Sequence, residues 1–150
     1  MRLKDKIAIV TGAAGGIGEG VAKAYAAEGA TVLACDINEE GAAETAKAIN
    51  KDGGKASSCQ IDITDSGIAQ SVITKFAAEH GKLDIIANVA GTGQRHSFLE
   101  AKIEEFDRVM KVNLMGTFIC GQAAAREMVK QGYGRIVNIA SIAGTRAGSG

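Results

Sequence analysis

Short apolar segments and longer amphipathic ones alternate along the chain. Ile7–Val10 reads as a strand buried on both faces, because neither side of it alternates to polar. Thr31–Cys35, Ala56–Gln60, Leu83–Ala87 and Arg135–Ala140 predict four further strands. Between them lie predicted helices at Gly16–Glu28, Glu39–Lys51 and Ser66–His80, and a long one from about Lys102 to Lys130. In the third, Ile68, Val72, Ile73, Phe76 and Ala77 form a helical stripe, with Thr64, Asp65 or Ser66 available as N-cap. Gly29, Gly53-Gly54, Gly81 and Gly132/Gly134 stand where helices should stop. Repeated strand–helix units predict one α/β unit over residues 1–150: a parallel sheet with right-handed crossovers and helices on both faces. No linker, low-complexity tract or internal repeat interrupts it.

Composition narrows the classes of partner. With 17 basic and 17 acidic residues, no electrostatic footprint favours nucleic acid or an anionic membrane. No stretch approaches the ~20 apolar residues of a membrane span. The basic start Met1–Lys6 is followed by too short an apolar run for a signal peptide, so a soluble, cytoplasmic protein is expected. Cys35, Cys59 and Cys120 are widely spaced and read as free thiols; His80 and His96 are isolated, so no metal site is expected. The chain has no proline, which fits one dominated by regular elements.

The chemistry begins where the first strand runs into Thr11-Gly12-Ala13-Ala14-Gly15-Gly16-Ile17-Gly18. Glycine lets backbone pass close to a ligand, sometimes at positive φ. The helix start beyond it offers unpaired N–H groups and the positive end of a dipole, which suits a diphosphate. The turn has no Gly-Lys-Ser/Thr ending, so it is not a P-loop. Asp36 ends the second strand, 18 residues beyond Gly18. A carboxylate there can accept from both hydroxyls of an adenosine ribose and would repel a 2′-phosphate; as a plain reading it is a helix N-cap. Ala13, Ala14 and Ile37 bring no basic residue beside it, which favours NAD over NADP. Asp62-Ile63 follows the third strand, where the pair could hold an adenine, or where Asp62 could simply cap a loop. Asn88-Val89-Ala90-Gly91 ends the fourth strand with residues small enough to run beside a cofactor, and Asn88 can tie neighbouring strands.

Together with Asn113 and the segment Ile136-Val137-Asn138-Ile139-Ala140-Ser141, these motifs resemble the short-chain dehydrogenase/reductase family across the whole chain. The resemblance implies a three-layer Rossmann-type, doubly wound parallel sheet of strand order 3-2-1-4-5, with two further strands after the fifth. It implies a cofactor site of Gly12, Ala14, Gly16, Ile17, Gly18, Asp36, Ile37, Asp62, Ile63, Asn88, Ala90 and Gly91. It makes Asn113 and Ser141 catalytic: Asn113 points inward from the long helix and supports a proton path, and Ser141 hydrogen-bonds the substrate oxygen. Read without the family, Asn113 is a structural residue bonding an adjacent carbonyl and Ser141 a capping serine.

The reaction so implied is hydride transfer between nicotinamide and a secondary alcohol or ketone. Its acid/base pair, a Tyr-x-x-x-Lys expected after the serine, is missing from these residues; Tyr25 and Tyr133 both precede Ser141 and neither has the lysine. The alternatives are a truncated NAD-binding module without activity of its own and, less well matched, another Rossmann-like enzyme such as a methyltransferase. The expected partners are a small alcohol or ketone and further copies of the chain, as dimer or tetramer, joined through the long helix or the fifth strand. Thr92 to Phe98, with Gln94, Arg95 and His96, should border the substrate mouth.

Overall fold

The computed structural model describes residues 1–93 and 96–146, so Gln94 and Arg95 lie outside the described residues. Strands β1 (Ile7–Thr11), β2 (Thr31–Asp36), β3 (Lys55–Gln60), β4 (Ile85–Asn88) and β5 (Arg135–Asn138) form one parallel sheet in the order β3-β2-β1-β4-β5. Helices α1 (Gly16–Ala27), α2 (Glu39–Lys51), α3 (Ser66–His80), α4 (Ile103–Met110) and α5 (Thr117–Lys130) connect them.

The central strands are apolar throughout because successive side chains enter two separate cores. Ile7 and Ile9 of β1 join Leu33, Ile86 and the α3 and α5 residues Ile73, Phe76, Ala124 and Met128 on one face. Ala8 and Val10 join Val32, Ala34, Ala87 and the α1 and α2 residues Ala22, Ala26 and Ile49 on the other. The second core is built largely from alanine, which lets α1 lie close against the sheet above its glycine turn.

Helix ends follow local chemistry. Asp65 is the cap of α3, its Oδ1 accepting the Gly67 and Ile68 amides at 2.9 Å each, and Gly81 ends that helix in the left-handed region. Ile68 is 46% exposed and leaves the predicted stripe, which is carried by Ala69, Ile73, Phe76 and Ala77. Asn38, not Asp36, caps α2 by accepting the Gly41 amide at 3.2 Å.

Element ends differ from the sequence pattern by one or two residues, and two departures have a local cause. Leu83 precedes β4 because the Gln131 side chain holds its backbone, donating to the Leu83 carbonyl at 2.7 Å and accepting its N–H at 3.3 Å. The long helix is continuous but widens into a π-helical stretch, Lys111–Gly116, between α4 and α5. That extra winding shifts the phase of the buried face. Asn113 therefore does not point into the core; it is exposed beside the loop after β4.

Candidate functional site

At the carboxyl ends of β1, β2 and β4 the chain leaves a cavity of about 570 Å³, within the range of small-ligand sites. The β1–α1 turn forms one wall. Gly12 has φ +72°, and a Cβ there would stand 2.7 Å from the Ala90 backbone, so no other residue lets the turn pass β4 so closely. The turn is held by the Ala13 amide donating to the Cys35 carbonyl at 3.0 Å and by the buried Thr45 hydroxyl donating to the Ala13 carbonyl at 2.7 Å. On the far side, the Thr11 hydroxyl accepts from the Val89 and Ala90 amides at 3.1 and 3.2 Å. No side chain caps the amino end of α1, whereas Asn38 and Asp65 cap α2 and α3. Its first amides are therefore available to an anion.

The acidic groups differ in what they retain. Each Asp36 oxygen accepts one backbone amide, Ala14 at 3.0 Å and Asn38 at 2.9 Å. A carboxylate offers about four acceptor positions, so Asp36 keeps capacity for two hydroxyl donors. At Asp62 a single oxygen accepts both the Thr64 hydroxyl and the Thr64 amide at 2.8 Å, and these bonds hold the carboxyl below its usual range. Asp62 thus caps its own loop while it lines the cavity.

Of the residues singled out from the sequence, Gly12, Ile17, Gly18, Asp36, Ile37, Asp62, Ile63, Ala90 and Gly91 line this cavity. Ala14, Gly16 and Asn88 do not line it. Ala14 acts through its amide on Asp36, and Asn88 donates to the Asn138 side chain at 2.8 Å, tying β4 to β5. Asn88 keeps one buried oxygen without a partner. A glycine cradle closed to Cβ atoms, an uncapped helix start and a carboxylate with spare acceptor positions together fit a dinucleotide.

A second cavity, of about 510 Å³, adjoins the first across Val89–Thr92 and Ile139, and it is lined by Asn113 and Ser141. The Asn113 amide is engaged on both sides with one residue: its Oδ1 accepts the Thr92 amide and its Nδ2 donates to the Thr92 carbonyl, each at 2.8 Å. Ser141 accepts the Ala143 amide at 3.2 Å and caps the short turn Ile142–Gly144. Its own hydroxyl proton remains available to a bound oxygen.

Residues 6–150 match the sequence family described as short chain dehydrogenase. The chain belongs to the short-chain dehydrogenase family. Among its relatives, D-threitol dehydrogenase of Mycolicibacterium smegmatis is 40% identical over 146 residues, covering 97% of this chain and 56% of that protein. The 3-oxoacyl-[acyl-carrier-protein] reductase FabG of Thermotoga maritima is 36% identical, covering 96% of this chain and 58% of that one. A crystal structure of a short-chain type dehydrogenase/reductase from Mycobacterium marinum superposes with a TM-score of 0.94 at 36% identity, over 99% of this chain and 60% of the other. The chain thus spans between half and two thirds of the length of these relatives. The family binds NAD(P), and the relatives' names place it among oxidoreductases.

Gly15, Ile61, Thr64, Val89, Thr92, Arg108, Val112 and Ile139 also line the larger cavity and were not among the cofactor residues assigned from the sequence, although Thr92 opens the stretch expected at the substrate mouth. Gly15, Thr64 and Val89 are chain neighbours of motif residues, so proximity alone could have flagged them. Arg108 and Val112 reach the site from the long helix, where no signal in the sequence marked them. Neither tyrosine lines either cavity. Tyr25 belongs with the α1 core, and Tyr133 lies under Lys6 and Arg135, with Lys6 Nζ 4.1 Å from its ring centre. Burial pushes the Cys120 thiol up to about 12 and Cys35 well above its ordinary value, so these two are not nucleophiles. No helix among the described residues is long and apolar enough to cross a membrane.

Proposed function

We propose that the protein is an NAD-dependent oxidoreductase that interconverts a secondary alcohol and a ketone. The observation that carries this reading is Asp36, which ends β2 beside the glycine turn with acceptor capacity to spare and no basic residue next to it. It would take the two ribose hydroxyls of NAD and repel the 2′-phosphate of NADP. The α1 amides would bind the diphosphate, and Ile37, Asp62 and Ile63 would enclose the adenine.

When bound, the nicotinamide supplies or accepts the hydride. Ser141 would donate a hydrogen bond from its hydroxyl to the substrate oxygen, keeping its proton, and Asn113 would hold the loop between the two cavities. The Tyr and Lys that the family uses to move the proton have no counterpart among residues 1–150. Turnover then needs chain outside this stretch, and these residues by themselves form an NAD-binding module. The reading is supported by a cofactor wall furnished with its polar groups while the acid/base pair is missing.

The test is calorimetric titration with NAD⁺ and NADP⁺. NAD⁺ should bind at least tenfold more tightly, and Asp36→Ala should remove most of that preference. Equal affinity for both nucleotides in the unaltered chain would overturn the assignment of NAD.

A further inference from the structure

Thr92 lines both cavities and Gly93 lines the smaller one, and two side chains of the long helix grip them. Asn113 takes both backbone groups of Thr92. Arg108 takes what is left: one guanidinium nitrogen donates to the Thr92 hydroxyl, and another donates to the Gly93 carbonyl at 3.0 Å. We infer that Arg108 is a positioning residue of this site, the second arm of a clamp that fixes Thr92–Gly93 where the two cavities meet.

The chemistry suits an arginine. Its planar fork satisfies two acceptors from one rigid group, which a lysine could not do. Charge-assisted bonds of this kind are about twice as strong as neutral ones. Glu105, one turn earlier on α4, stands 3.9 Å from the same guanidinium and 2.9 Å from His96. The other end of the loop is thereby tied to the same helix. In an unbroken α-helix, residues five apart stand about 140° apart around the axis. The wider winding from Lys111 onward, with its i→i+5 bonding, narrows that angle and lets Arg108 and Asn113 serve one residue. Arg108 is also the only cation among the described residues lining the larger cavity, which suits an anionic ligand.

The link to ligand binding rests on the dinucleotide reading above, so the test has one arm that needs no nucleotide. Backbone amide exchange over residues 91–93 of the free chain reads the clamp. Arg108→Ala should speed it at least tenfold, with α3 unchanged. NAD⁺ titration reads the consequence. Arg108→Ala and Thr92→Val should each weaken binding three- to tenfold, Thr92→Ser should bind as the unaltered chain does, and Arg108→Ala with Thr92→Val should be no weaker than Arg108→Ala alone. Unchanged exchange at residues 91–93, or losses that multiply in the double variant, would overturn the clamp. An unaltered chain that does not bind NAD⁺ would overturn the dinucleotide reading, while the exchange result would still decide the clamp.

Discussion

A methyl group on Gly18 would stand 2.0 Å from the Gly12 carbonyl oxygen and 2.5 Å from its carbon, both backbone atoms that cannot swing aside. The first turn of α1 therefore rests directly on the turn that precedes it, and the uncapped amides are aimed by that contact. Gly18→Ala would push the helix start away from the turn. The expected cost is about 1–3 kcal/mol of stability, read as a lower melting temperature, together with a loss of nucleotide affinity of tenfold or more. A Gly18→Ala variant that melts and binds like the unaltered chain would show that the contact can relax. Asp36 and Asp62 were legible for the same local reason: each follows a strand at the sheet's carboxyl edge, where topology delivers it to the cavity whatever its neighbours are. Arg108 was not legible in this way. Its role depends on a loop that comes from a different part of the chain and on the widened winding beside it, and neither has a pattern in sequence.

At the scale of elements, the strands and both helical layers followed from periodicity, because strands buried on two faces and helices buried on one leave different signatures, whereas the strand order came with the family resemblance. What periodicity could not show is where a side chain replaces a ladder bond, as Gln131 does at Leu83, or where a helix changes its winding, as at Lys111. The amino end of β4 carries a further device. Asp84 is buried there; its Oδ2 accepts the Ile7 amide at 2.9 Å, and Lys82 and Lys6 lie 2.9 and 3.3 Å from the carboxylate. Burial alone would push this carboxyl up, but the bonds from Lys82, the Ile7 amide and Lys6 outweigh it and hold it below its usual range. A carboxyl depressed in the folded state stabilises the fold above its unfolded value, about 3.9, and that contribution is lost as the pH falls through the lower folded value. Asp84→Asn should therefore cost about 2 kcal/mol near neutral pH, and the gap from the unaltered chain should close below about pH 4. Denaturant unfolding at a series of pH values checks this, and a gap that stays constant down to pH 2 would show that Asp84 is not the group responsible.

At the scale of the whole molecule, the apolar surface is distributed unevenly. Phe106, Leu114 and Phe118 on the long helix are 55%, 62% and 63% exposed, and Ile136 and Val137 of β5 and Ile139 just after it are exposed. Scattered apolar residues are ordinary on a surface, but these fall on one strand and one helix. The 150-residue chain should therefore associate with itself as its concentration rises. Sedimentation velocity would follow this, and Ile136→Lys should weaken it. A concentration-independent monomer would show that these faces stay solvated. The opposite edge of the sheet is different: β3 turns Lys55, Ser57, Ser58 and Gln60 to solvent. Growth of the sheet thus has a live end and a terminated one. Two chains that meet through their β5 edges would bring the polar β3 edges to both outer rims, and no third chain would find an apolar strand to extend. Association of the 150-residue chain through the sheet would then stop at the pair, which favours a finite assembly over a fibre.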